Sequence, residues 1–187
     1  MKEYPITIGF DDAPFALKST SQNTTQLIGV ICQGKRMVNV VRKEIKIDGQ
    51  DATEALIELT KQNENHVQYI LTDTITFGGF NIIDLNEIYD EINKPIIAIT
   101  EKEVDLESVN KALIKKFPHN YKLKIQKIIN AGNLYKTEIE TAGGLSRIYF
   151  HSKGIELDEV ELLLQKVCID SKTPEPIRLA HIIGKLF

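Results

Sequence analysis

Two aspartates, Asp11 and Asp12, end the β-branched run PITIGFDD at residues 5–12, and a third, Asp73, ends the run VQYILTD at residues 67–73. If these runs are neighbouring strands, the carboxylates of Asp11 and Asp73 lie side by side and repel. A divalent cation between their oxygens reverses that repulsion. Hard oxygen donors without a nearby His or Cys point to Mg²⁺ or Mn²⁺. A pair of such ions about 4 Å apart activates water and stabilises the leaving oxygen of a phosphodiester, so the chemistry suggested is phosphodiester hydrolysis. For any single Asp at a strand end the plain alternative is a turn former or a helix cap. Asp48-Gly49 is a turn dipeptide, and Asp51-Ala-Thr-Glu reads as a helix start with acids near the positive end of the dipole. The coincidence of positions favours a site. Acids end the first strand, flank the helix after the third, and end the fourth.

Other candidates surround these. Gly78, Gly79 and Asn81 follow Asp73 closely, and paired glycines let a backbone approach a ligand such as a sugar-phosphate chain, or simply make a turn. Phe77 and Phe80 offer rings for stacking on a base, or core. Glu175, Arg178 and His181 recur at i, i+3, i+6 on one helix face, where Arg178 is suited to hold a phosphate and His181 to give a proton or orient water. The same spacing equally describes a solvated face with an internal salt bridge. His66, His119 and His151 stand at no ligand spacing and carry no role. A GxGxxG loop, a Walker loop and a Ser or Cys nucleophile elbow are absent.

Positioning these residues requires a particular order of elements. Runs at 5–12, 24–33 and 37–48 are strand-like and succeed one another, with Gly34-Lys35 as a turn, which makes an antiparallel meander. Ala52, Ala55, Leu56 and Leu59 then mark a helix. Residues 67–73 form a strand, 82–92 a helix, 95–100 a strand and 106–117 a helix; strands separated by helices pair in parallel through right-handed crossovers. Further on, a helix is expected at 122–130, a turn at Gly143-Gly144, a strand at 146–151, a helix around Val160–Val167, and a last helix at 177–186 opened by Pro176. The fold class expected is α/β and ribonuclease-H-like: a mixed five-stranded sheet, three antiparallel strands then two parallel, flanked by helices and closed by C-terminal helices. No repeat or linker divides residues 1–187, so one domain is expected.

Composition limits the rest. The 187 residues carry 26 Asp+Glu against 23 Lys+Arg, a formal charge of -3, which excludes binding to nucleic acid through bulk positive charge. Contact with DNA falls to local patches, Lys35-Arg36 with Arg42-Lys43-Lys46, and Lys115-Lys116 with Lys122, Lys124 and Lys127. Cys32 and Cys168 show neither disulfide-framework nor zinc spacing and read as buried thiols. No apolar stretch reaches the ~18 residues of a membrane span and two acids precede any leader-like core, so a cytoplasmic protein with no membrane partner is expected.

The blocks IGFDDAPF at 8–15, IDGQDATEAL at 47–56, ILTDTITFGGFNIIDL at 70–85 and TPEPIRLAHIIGKLF at 173–187 resemble the signature blocks of the mainly archaeal endonuclease dU family, a relative of endonuclease V. The likeness to endonuclease V is traceable in Gly9-Phe10-Asp11, in Asp73 and in the PEPxRxAH block from Pro174 to His181. The resemblance implies a ribonuclease-H-like, Mg²⁺- or Mn²⁺-dependent endonuclease in DNA repair, acting on DNA with deaminated bases such as deoxyuridine. It implies Asp11 and Asp73 as catalytic metal ligands. The intermediate Glu of endonuclease V has no Glu in register, and Asp51 or Asp48 is left to replace it. The lysine after the fifth strand is also missing, the chain running Thr100-Glu101-Lys102, and the usual glycine after the strand-four Asp is Thr74. A catalytically silent nucleic-acid-binding protein of the same fold is the alternative these departures leave.

Overall fold

The computed structural model describes residues 1–16, 23–100 and 105–187. Strands β1 (Ile6–Asp12), β2 (Thr24–Gln33) and β3 (Arg36–Lys46) form the expected antiparallel meander. Helix α1 (Ala52–Lys61) crosses to β4 (Tyr69–Asp73), which pairs in parallel with β1, Thr7 opposite Tyr69 through Phe10 opposite Thr72. After a small ribbon of β5 (Thr76–Phe77) and β6 (Asn81–Ile82), helix α2 (Leu85–Ile92) leads to β7 (Ile96–Thr100), parallel to β4. The helix expected from Ile82 thus begins three residues later. Asp84 sets that start, its side chain accepting from Asn86 N and Glu87 N at 3.0 and 3.3 Å.

Helices α3 (Leu106–Lys116) and α4 (Tyr121–Asn130) precede a hairpin of β8 (Tyr135–Thr141) and β9 (Gly144–Lys153). Strand β9 joins β7 antiparallel, so the sheet has seven strands, not five, in the order β3-β2-β1-β4-β7-β9-β8. Strand β8 escapes the sequence pattern because it is an edge strand with one fully buried apolar residue, Ile139, among charged neighbours. Helices α5 (Leu157–Val167) and α6 (Glu175–Gly184) complete the chain, α6 starting two residues before the expected Ile177, with Pro174 as N-cap and Pro176 in its first turn. Among the described residues no helix is long and apolar enough to cross a membrane.

Strand alternation sorts side chains between two cores. Ile8, Phe10, Ile70 and Ile96 face α1 and α2, whereas Leu71, Ile97 and Ile99 face α5 and Ile177 of α6. Both sheet faces are therefore covered, which is why the central strands read as near-continuous apolar runs. Gly9 lets α6 lie directly on β1. A Cβ there would stand 2.6 Å from Ile177 N and from the Pro176 carbonyl carbon.

Candidate active site

The register places Asp11 and Asp73 one residue beyond the Phe10–Thr72 pair, at the carboxyl ends of two parallel neighbours and on the α6 face. Asp11 is buried, 4% exposed. Its Oδ1 accepts from Asp12 N at 2.8 Å, and its Oδ2 lies 2.8 Å from Nδ1 of His181, a side chain of α6 that is half exposed. Burial, then the negative charges of Asp73 and Asp12, push the Asp11 carboxyl up to about 7, against the opposing pull of the Asp12 N–H and His181. The fold thus brings Asp11, Asp73 and His181 into one corner of the molecule, 170 residues apart at the extremes.

Asp12 points through the sheet to the other face. Its Oδ2 accepts from Gly78 N at 2.8 Å, and burial raises its carboxyl. Gly78 and Gly79 both have positive φ, 49° and 85°, and a Cβ on Gly79 would lie 2.6 Å from Asp48 Oδ1. The paired glycines therefore fit a close turn around Asp48, which accepts from Phe80 N at 3.0 Å and pairs with Lys116 Nζ at 2.5 Å. Asp51 sits at the N-cap of α1 but makes no cap bond; its Oδ1 accepts from Asn81 Nδ2 at 2.6 Å and from Lys46 N at 3.2 Å. Neither Asp48 nor Asp51 joins Asp11 and Asp73: both carboxylates bind the loop that carries Asn81. Asn81 itself is fully buried, its Oδ1 accepting from Ala52 N and its Nδ2 donating to Lys46 O as well as Asp51, so its amide serves the fold rather than a ligand. Arg178 is held by Glu175 through two 2.7 Å bonds, the internal pair its spacing allowed.

Two further expectations change. The second basic patch shrinks to Lys115, Lys116 and Lys122, because Lys124 is buried and donates to the carbonyls of Asp48, Gly49 and Phe80 at 3.1, 2.7 and 2.6 Å, while Lys127 donates to Ile82 O at 2.9 Å. Both ammonium groups are lowered chiefly by burial. Phe77 is core, and Phe80 packs edge-on against Phe117. Glu101 and Lys102, where the missing lysine was sought, lie outside the described residues.

Thr74, directly after Asp73, has φ 63°, a backbone region glycine enters freely and a β-branched residue rarely does. It is held by Thr74 N donating to Ile99 O at 2.6 Å and by Thr72 Oγ1 donating to Thr74 O at 2.7 Å. Thr74 also lines a cavity of about 730 Å³ on the sheet face opposite Asp11, with Phe80, Ala98, Lys116, Ile129 and His151 on its walls. No local sequence signal marks this cavity, since the segment after β4, the β5–β6 ribbon, β7, β9, α3 and α4 build it jointly. Carboxylates and cavity open at the same strand ends, with residues 73 and 74 between them.

Hard carboxylate oxygens whose ionisation is opposed by one another fit a divalent cation. Among the described residues no group of three His, Cys, Asp or Glu is assembled as a cage. Mg²⁺ is commonly held by one or two carboxylates with water and substrate phosphates completing its shell, which this pair satisfies.

Comparison with known proteins gives the following. A family model described as endonuclease dU matches residues 6–187. A UPF0215 protein of Thermococcus sibiricus is 35% identical over 180 residues, covering 95% of this chain and 89% of that protein. The crystal structure of a protein of unknown function from Archaeoglobus fulgidus superposes with a TM-score of 0.83 at 26% identity, covering 97% of each chain. Ciona intestinalis endonuclease V, in complex with a 24mer DNA containing an inosine followed by a ribo-adenosine, superposes with a TM-score of 0.58 at 13% identity, over 95% of this chain and 82% of that one. At that identity the likeness is one of fold, and the fold is ribonuclease-H-like.

Proposed function

The chain belongs to the endonuclease dU family, and we propose that it is a divalent-metal-dependent endonuclease hydrolysing phosphodiester bonds in DNA that carries deaminated bases such as deoxyuridine. The observation that carries this reading is the Asp11–Asp73 pair at adjacent strand ends with His181 docked on Asp11. Asp11 and Asp73 would hold Mg²⁺ or Mn²⁺, which supplies charge neutralisation at the phosphate and a more acidic water. His181 keeps one ring nitrogen on Asp11 and presents the rest of a half-exposed imidazole to solvent, placed to orient the attacking water or give a proton to the leaving oxygen. The mainly apolar cavity beyond Thr74 would receive the target base once it leaves the stack.

The test is cleavage of labelled oligonucleotides containing uracil, hypoxanthine or no lesion, with Mg²⁺, Mn²⁺ or chelator. Lesion-dependent cuts that need metal are expected. Asp11→Asn and Asp73→Asn should each lower cleavage at least about 100-fold with the circular-dichroism spectrum unchanged, on the scale of losing a charge-stabilising group. Full activity in both variants would remove the proposal. The commitment of Asp48 and Asp51 elsewhere favours a second reading, a binding protein without turnover. It predicts lesion-selective binding and no cut in any metal.

A further inference from the structure

His151 stands on β9 opposite Ala98 of β7, so its imidazole is mounted on the rigid sheet at the wall of the 730 Å³ cavity. Its Nδ1 lies 3.1 Å from Asn133 O. A carbonyl oxygen only accepts, so Nδ1 carries the hydrogen, and a neutral ring then has its lone pair on Nε2. Burial keeps the ring neutral at ordinary pH: it lowers the imidazole's affinity for a second proton, outweighing the carbonyls of Asn133, Gly132 and Ala131. The cavity wall therefore combines an acceptor of fixed tautomer with the Lys116 ammonium, a donor.

Deamination exchanges donors and acceptors on a base. Cytosine N3 and adenine N1 are lone pairs beside an amino group; in uracil and hypoxanthine the same ring atoms are N–H groups, and the amino group is replaced by a carbonyl. We propose that His151 is a specificity-determining residue, its Nε2 accepting the ring N–H that deamination creates on a base turned into this cavity, while Lys116 serves the neighbouring carbonyl. The inference rests on the reading of this site as one that handles deaminated bases. An undamaged cytosine or adenine would set lone pair against lone pair and leave both unsatisfied in a mainly apolar pocket. Thymine and guanine share the N–H, so this contact does not reject them. Their exclusion falls to the cost of extrusion, which is greater from a matched pair than from a uracil opposite guanine.

The test uses the intact protein with Ca²⁺ in place of Mg²⁺. Its probes are single-stranded all-adenine oligonucleotides with one uracil, N3-methyluracil or cytosine, read by fluorescence anisotropy. The uracil strand should bind at least about 10-fold more tightly than the other two, as expected for one buried hydrogen bond. His151→Phe, which keeps a ring but no acceptor, should bring uracil down to their level. His151→Gln, whose amide oxygen accepts, should restore part of the preference. Equal binding of uracil and N3-methyluracil by the unaltered protein overturns the inference whatever the variants do, and so does a retained preference in a folded His151→Phe. Uracil-selective binding with no cleavage in Mg²⁺ or Mn²⁺ would sink the nuclease reading and leave this one standing. Cleavage indifferent to the base would do the reverse.

Discussion

Asp11 titrates near neutrality in the folded chain because burial and the charges of Asp73 and Asp12 oppose its ionisation. In the unfolded chain it is an ordinary aspartate, so between about pH 4 and 7 the folded state keeps a proton that the unfolded state has released. A raised carboxyl stabilises the fold at low pH and loses that contribution as pH rises through its folded value. The metal-free protein should therefore lose a few kcal/mol of stability between those limits. Thermal melts in chelator should show the melting temperature falling from pH 5 to pH 8. Asp11→Asn should flatten that slope. With Mg²⁺ the fall should be offset most above pH 7, where the carboxylate is free to bind the ion. An unchanged slope in Asp11→Asn would assign the effect to another group. The acids of the two strand ends were legible from residue type and position. Their pairing with His181 was not, because helical spacing says only that Glu175, Arg178 and His181 share a face, not what that face meets.

At the scale of elements, legibility followed burial. Strands β1, β2, β4 and β7 are covered on both faces and announce themselves as β-branched runs, while β8 at the edge and the two-residue strands β5 and β6 do not. Thr74 read as a departure from an expected glycine, and its φ of 63° supplies the physical reason a glycine suits that position. Lysines in α4 read as a surface charge run because nothing local distinguishes a solvated lysine from one aimed inward. Lys124 instead joins the loop after β3 to the loop before β6 through three carbonyls. Lys124→Met should leave those oxygens without a donor and destabilise the fold by about 2–3 kcal/mol. Denaturant unfolding measures this, and a change below about 0.5 kcal/mol would show the loops find other partners.

For the whole molecule, the charge of -3 acquires a distribution. Lys124 and Lys127 are committed inside the fold, Lys116 pairs with Asp48, and Lys43 with Glu58. Of the two basic patches this leaves Lys35, Arg36, Arg42 and Lys46 by the meander and Lys115 and Lys122 on α3 and α4, groups of four and two, to follow a phosphate backbone. The affinity for DNA should then fall gently with salt, with a log–log slope of magnitude no greater than about 3, measured between 50 and 200 mM KCl with Ca²⁺ present. A slope near 8 would reveal a basic track that these contacts do not supply.

Helix α6 docks on β1 through the gap left by Gly9, burying the face that holds Asp11 and delivering His181 to it. The first strand and the last helix are thus interdependent, although 170 residues of chain separate the two side chains they bring together. A nascent chain still lacking α6, or a copy in which that helix has peeled away, has its strand-end carboxylates but no imidazole beside them. For a protein proposed to cut DNA, the topology works as a safety catch: copies that are unfinished or coming apart are disarmed before they meet the genome.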